Sequence, residues 1–256
     1  MSNANSQRSK YLNKVFPTNQ GYEVKVIEYI TGHKITVKFL DEHGVIKTTG
    51  ITSLLRGTVS NPYSKIKRTV HGYIGAGKYK TRVNDKKTDS ALIWYAMMYR
   101  CYDPKTQAKR PTYKDVIVCD EWHNFQNFSE WFYKQTDWQK GWHIEKDFIN
   151  GDQRVYSPEN CCFVPNELNS LVISCNASRG HLPIGVSETK GGRYVAQLKK
   201  DSITHSLGAF STPELAFAAY KKEKEAWVKI VAQRWVGLVN PKVIEYLMNW
   251  TVNIDD

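Results

Sequence analysis

Between Gly21 and Arg56 the chain alternates apolar and polar residues in three short runs, YEVKVIEYI, HKITVKFLDEHG and VIKTTGI. A repeat of two puts every second side chain on one face of an extended strand, and β-branched residues suit that face. Gly32 and Gly44 mark turns. Three strands in 36 residues predict a small curled, barrel-like β module over 21–56. Such a unit is too small to be catalytic by itself and suits docking. The polar residues 1–20 read as a flexible tail.

Helical periods follow. The stretch SALIWYAMMYRCY predicts a helix from Ser90 to Tyr102, and Pro104 and Pro111 break the chain after it. A short strand, DVIVCDEW, leads into a second helix, FQNFSEWFYKQ, whose Phe125, Phe128, Trp131 and Phe132 recur at core spacing. Beyond residue 181 the pattern reads as three antiparallel strands, then a long helix capped by Thr212 with Pro213 in its first turn. On that helix Leu215, Ala219 and Trp227 have core spacing, while Lys221, Lys222 and Lys224 read as its solvent side. A closing helix spans Pro241 to Trp250. The fold class is α+β, divided as a tail (1–20), a β module (21–56), a basic connector (57–87), a central domain (88–180) and a C-terminal sheet-and-helix domain (181–256).

At 41% hydrophobic and 12% aromatic the chain can build real cores, which excludes a disordered chain. No stretch has the roughly 18 uninterrupted apolar residues of a membrane span, and MSNANSQRSKYLNK has no apolar signal-peptide core. The five cysteines, Cys101, Cys119, Cys161, Cys162 and Cys175, form no C-x-x-C pair. They point to buried thiols in a reducing, cytoplasmic setting, with no structural zinc.

Charge is unevenly spread. Residues 1–89 carry 16 basic and 6 acidic side chains, whereas 90–180 carry 10 and 11, and 181–256 carry 10 and 8. A basic first third on a near-neutral middle suits a polyanion ligand. Residues 56–87 hold nine Lys or Arg against Asp85 alone. Within them Gly72 to Tyr79 nearly matches the phosphate-cradling G-x-x-x-x-G-K-[ST] loop. Tyr79 stands where a hydroxyl must meet Mg²⁺, and no helix pattern follows, so no nucleotide cofactor is expected. The segment reads instead as a strap along phosphates, with Lys65, Lys67, Arg68, Lys78 and Lys80 as contacts.

The segment from Gly141 to Leu171 concentrates chemistry. It reads as a strand, a loop, a second strand ending in Tyr156-Ser157-Pro158-Glu159-Asn160, and a helix from near Pro165. His143, Glu145 and Asp147 stand at alternate positions, on one face of the first strand. A histidine with two carboxylates can bind a divalent metal or activate a water. This segment resembles the HNH (ββα-metal) endonucleases, especially phage-encoded homing-type members. The resemblance implies that Asn160, in Pro158-Glu159-Asn160, orders the hairpin, and that Asn169 completes a metal site with Glu145. Where the family has Asp-His, this chain has Glu145-Lys146. Glutamate can replace aspartate on a hard cation, but lysine replaces histidine as base only with a large downward pKa shift. His143 or Asp147 would supply the base, with Mg²⁺ or Mn²⁺ as cofactor.

Residues Ile184 to Val231 resemble the plant ethylene-response-factor DNA-binding domain. The matching landmarks are Gly185-Val186, the run Gly192 to Leu198, Leu207 to Phe210, and Thr212-Pro213-Glu214 leading into Ala216, Ala218, Ala219 and Tyr220. The resemblance implies a three-stranded sheet on one helix, reading the DNA major groove. The family's base-reading positions fall on Ile184, Ser187, Thr189, Gly191, Gln197, Lys199, Thr204 and Ser206. Gln197 suits adenine and Lys199 suits guanine or phosphate, while Arg193 would hold a phosphate.

Together these features predict a phage-type endonuclease, a monomer acting on double-stranded DNA in the host cytoplasm, with no membrane partner. A non-catalytic DNA-binding regulator or inhibitor on a degenerate scaffold is the alternative, and RNA binding by the β module is a third reading.

Overall fold

A computed structural model describes residues 2–151, 154–172 and 181–255. It divides into two units, Met1–Tyr133 and Lys134–Asp256. The expected central domain, 88–180, is therefore cut near residue 133, and its second half joins the C-terminal residues.

In the first unit, helix α1 (Ser2–Tyr11) precedes the antiparallel strands β1 (Val15–Pro17), β2 (Glu23–Thr31), β3 (Lys34–Phe39) and β4 (Ile46–Thr49), arranged in chain order. The alternation puts Val24, Val26, Ile35, Val37 and Phe39 on a fully buried face, packed with Leu54 of helix α2 (Ile51–Leu55) and Val59. The sheet is open, with β1 and β4 as its edges, and no closed barrel is found among the described residues. Strands of three and four residues leave little edge to pair. Nor are residues 1–20 simply a tail. Tyr11 is buried and stacks on Tyr29 at 6.3 Å, and Asn13 N–H donates to the Val26 carbonyl.

Two short strands, β5 (Arg82–Val83) and β6 (Lys86–Lys87), form a hairpin before helix α3 (Asp89–Tyr102), whose N-cap is Thr88. Helix α4 (Pro104–Lys109), strand β7 (Ile117–Val118) and helices α5 (Asp120–His123) and α6 (Phe125–Phe132) complete this unit. Trp94, Trp122, Phe125 and Phe128 are fully buried, and the Trp94 indole donates to the Trp122 carbonyl at 2.7 Å. The helical spacing of these aromatics is a core signal.

The second unit begins with strand β8 (His143–Glu145), helix α7 (Asp147–Asn150) and strand β9 (Val155–Tyr156). Strand β10 (Cys162–Val164) and helix α8 (Asn166–Leu171) follow. β8 pairs antiparallel with β10, Glu145 opposite Cys162 and His143 opposite Val164. The partner strand thus follows Asn160 instead of ending there. Strands β11 (Val186–Glu188), β12 (Tyr194–Lys200) and β13 (Ile203–Phe210) form an antiparallel sheet in chain order. Helix α9 (Pro213–Arg234) is capped by the Thr212 hydroxyl, which accepts from Leu215 N–H, and α10 (Pro241–Asn249) closes the unit.

Helix α9 serves two cores. Near its start Ala216, Phe217 and Tyr220 pack with Ala196 and Leu198 of β12. Near its end Val228, Val231 and Ala232 pack with Cys162, Val164, Leu168 and Leu171, and with Val243 and Leu247 of α10. Ala219 and Trp227 pack on the cores and Lys222 is exposed, as their spacing predicts, but three neighbours depart from the expected phase. Leu215 is exposed, whereas Lys221 is pinned to Glu225 at 2.8 Å and Lys224 is half-buried over the Trp250 ring.

Candidate nucleic-acid interface and hairpin site

The outer face of the C-terminal sheet is polar and open. Buried Ala196 and Leu198 alternate with exposed Gln197 and Lys199, so the pleat turns these two side chains outward. A register shift between Ala196 and Gln197 sets Gln197 opposite Ser206 and Lys199 opposite Thr204. Gln197, Lys199 and Thr204, with Val186, Ser187 and Glu188 of β11, line a shallow trough of about 450 Å³. Ser187, Gln197, Lys199, Thr204 and Ser206 make no side-chain hydrogen bond among the described residues, leaving their donors and acceptors open. Glu188, which no sequence expectation singled out, adds a carboxylate to the trough. Its sole signal was its place on the first strand of the sheet.

Two of the expected DNA-binding residues hold the turn. The Thr189 hydroxyl accepts from Arg193 N–H at 3.2 Å and donates to the Arg193 carbonyl at 3.1 Å, while the Arg193 guanidinium donates to the Ala209 carbonyl. Arg193 stays exposed. Gly185 enters the sheet at φ +75, where a Cβ would lie 2.0 Å from the Tyr220 ring. Only glycine fits there.

The β8–β10 hairpin carries the other candidates. His143 is exposed and Glu145 half-buried, two residues apart on one strand face. Asp147 is not on that strand. It opens helix α7, and Lys146 is the residue before that helix. The Lys146 side chain is 7% exposed, and its ammonium is bonded to the Asp147 carboxylate. Asn160 accepts from the Asn150 amide at 2.8 Å and donates to the Val155 carbonyl at 3.3 Å, tying the loop between the paired strands. Asn169, half-buried on α8, belongs to a helix lying against β8. Among the described residues no group of three or more His, Cys, Asp or Glu side chains is gathered as for a metal. The Asn169 amide oxygen is a donor of another type. Burial, with the Glu145 and Asp137 charges, pushes the Cys162 thiol up to about 12, so it stays protonated. Cys175 lies outside the described residues.

The hairpin and the sheet are linked through the end of α9. Arg234 bonds to Asp201, in the turn between β12 and β13, at 3.1 Å and lies 3.6 Å from Glu167 on α8. Glu167 also accepts from the Trp235 indole at 2.7 Å.

The connector of the first unit is not a loose strap. Tyr73 N–H donates to the His123 carbonyl and Phe125 N–H donates to the Tyr73 carbonyl, while the Gln126 side chain bonds Ile74 and Tyr79. A Cβ on Gly72 would stand 3.1 Å from the Trp94 ring, so the glycines that mimic a phosphate loop permit close packing instead. Arg68 is held by buried Asp103 (2.6 Å) and stacks on Tyr99 at 4.2 Å. Lys78 lies 3.2 Å from Glu130. Lys65, Lys67 and Lys80 remain exposed.

Comparison with protein family models, curated proteins and solved structures finds no match.

Proposed function

We propose that the chain is a double-stranded-DNA-binding endonuclease of the phage HNH homing type, hydrolysing phosphodiesters with a divalent cation. The observation that carries this reading is the shared helix α9, which packs the open polar sheet at one end and the β8–β10–α8 hairpin unit at the other. DNA held on Gln197 and Lys199 is then held at a set distance from His143 and Glu145.

Glu145 and Asn169 offer hard oxygen donors, which suit Mg²⁺ or Mn²⁺. Such an ion, when bound, offsets the charge that builds on a phosphodiester under attack, worth several kcal/mol. His143 is the better placed base, because Lys146 occupies the Asp147 carboxylate. Its exposed ring, on the strand face of Glu145, can take a proton from water. Asn160 acts as a positioning residue for the loop.

The Lys146–Asp147 pair also favours a second reading, a DNA-binding regulator without chemistry. A supercoiled-plasmid assay with Mg²⁺, Mn²⁺ or EDTA separates the two. On the first reading Glu145→Ala and Asn169→Ala abolish nicking while DNA affinity stays within a few-fold. Lys146→His raises the rate. An intact plasmid with the parent and with K146H, despite binding, leaves the regulator standing. Gln197→Ala should relax base preference at one or two positions, at about 1–3 kcal/mol for the preferred base.

A further inference from the structure

The β5–β6 hairpin of the first unit is an unusual object for so small a piece of sheet. Its turn residues, Asn84 and Asp85, both have positive φ, 48° and 59°, the conformation of a tight two-residue hairpin turn. Asn and Asp tolerate that region best after glycine. The register sets Arg82 directly opposite Lys87. Like charges facing each other across a ladder destabilise it, and a lone two-stranded hairpin is marginal already.

Among the described residues no ion pair removes the conflict. Residues 82–87 are all exposed, and none of Lys80, Arg82, Lys86 and Lys87 makes an ion pair among the described residues. Arg82 donates to the Asp85 carbonyl at 2.6 Å, which leaves its charge uncompensated. The root is nonetheless firm. Thr88 donates to the Lys80 carbonyl at 3.0 Å, through its hydroxyl, and to the Thr81 carbonyl at 3.1 Å, through its N–H, and it also caps α3. The Lys87 ammonium stands 4.9 Å from the centre of the Tyr95 ring, and Tyr95 lies 5.8 Å from Tyr99, on which Arg68 stacks. A cationic tip is thus held out on a fixed base, with a cation–tyrosine row behind it.

We infer that the 80–88 hairpin is a second polyanion site, separate from the C-terminal sheet, that binds the phosphates of duplex DNA. Four basic side chains against Asp85 complement a phosphate backbone, and a ligand of that charge offsets the Arg82–Lys87 repulsion. The proposal rests on the reading of the chain as a DNA-binding protein. It adds a grip blind to sequence, because backbone phosphates carry no base information.

The test uses the full chain and a random-sequence duplex, with Kd measured by fluorescence anisotropy across salt concentration. Removing one phosphate-neutralising side chain lowers the slope of log K against log salt by about 0.9. The triple variant R82A/K86A/K87A should have a slope smaller by about 1.8 or more, equivalent to about 60-fold in affinity near 0.1 M salt. Base preference should stay as in the parent. N84G, which keeps the charges and relieves the turn, should retain the parent slope. An unchanged slope in a triple variant whose circular dichroism matches the parent overturns the hairpin site while the sheet reading stands. A parent that binds no duplex at low salt overturns both, as would binding confined to anionic lipid vesicles.

Discussion

Replacing Leu168 by alanine tests whether the hairpin unit and the C-terminal sheet are one cooperative structure. Leu168, on α8, has no exposed surface and shares a core with Val228, Val231 and Ala232 of α9. Removing a fully buried leucine side chain costs about 3–5 kcal/mol when its surroundings cannot collapse. Because α9 continues into the core beneath β12, the destabilisation should reach the sheet. A change of about 3 kcal/mol corresponds to an acceleration of about 150-fold for amides that exchange through opening of the whole unit. Hydrogen exchange read by mass spectrometry on the full chain should therefore show faster exchange in 143–171 and in 194–210 together. If only 143–171 accelerates, α9 does not couple the two parts, and the expected boundary near residue 180 is the real one. That result would also remove the set distance on which the nuclease reading leans.

Gly185→Ala should destabilise the same unit by about 2–4 kcal/mol, since the added methyl meets the buried Tyr220 ring at a backbone angle that disfavours alanine; a lowered urea midpoint checks it. Arg68 and Thr106 hold the Asp103 carboxyl at about 2, below its ordinary 3.8. The stability it lends is complete above pH of about 4 and disappears as pH falls through about 2, so Asp103→Asn should flatten the fall in urea midpoint over that window; an unaltered fall would show that other carboxylates carry it. Iodoacetamide at about pH 8 should label half-buried Cys119 well ahead of buried Cys162, whose thiol is pushed up to about 12; peptide mapping showing the reverse order would contradict the packing.

The parts of this fold that were legible in the amino-acid order are those where local pattern and burial agree. The alternation over Val24, Val26, Ile35 and Val37 marks a strand face because every second residue is in fact covered. Thr212 and Pro213 announce α9 because capping is local chemistry. The failures lie where neighbouring side chains or the end of an element, instead of the local pattern, decide the outcome. Buried Tyr11, stacked on Tyr29, anchors a polar helix that composition assigns to a tail. Gly72 to Gly77 look like a phosphate loop until Trp94, Asn124 and Gln126 fill the space beside them. Asp147 has the spacing of a strand residue, but the strand ends at Glu145, where the chain turns into α7 and Lys146 claims the carboxylate.

Residue types were readable; which charges stay available was not. Arg68 and Lys78 are as basic in sequence as Lys86 and Lys87, yet the first two face Asp103 and Glu130, and the latter pair have no acidic partner among the described residues. A count of 16 basic residues in the first 89 therefore leads one to expect an anion, while the ion pairs show which of those charges are already matched. A cation already matched by a carboxylate neutralises phosphate poorly, whereas an unmatched one displaces a counterion condensed on the DNA, which is what a salt slope measures. Affinity for duplex DNA should thus depend on Arg82, Lys86 and Lys87 more steeply than on Arg68 and Lys78, although all five lie in one basic run of the sequence.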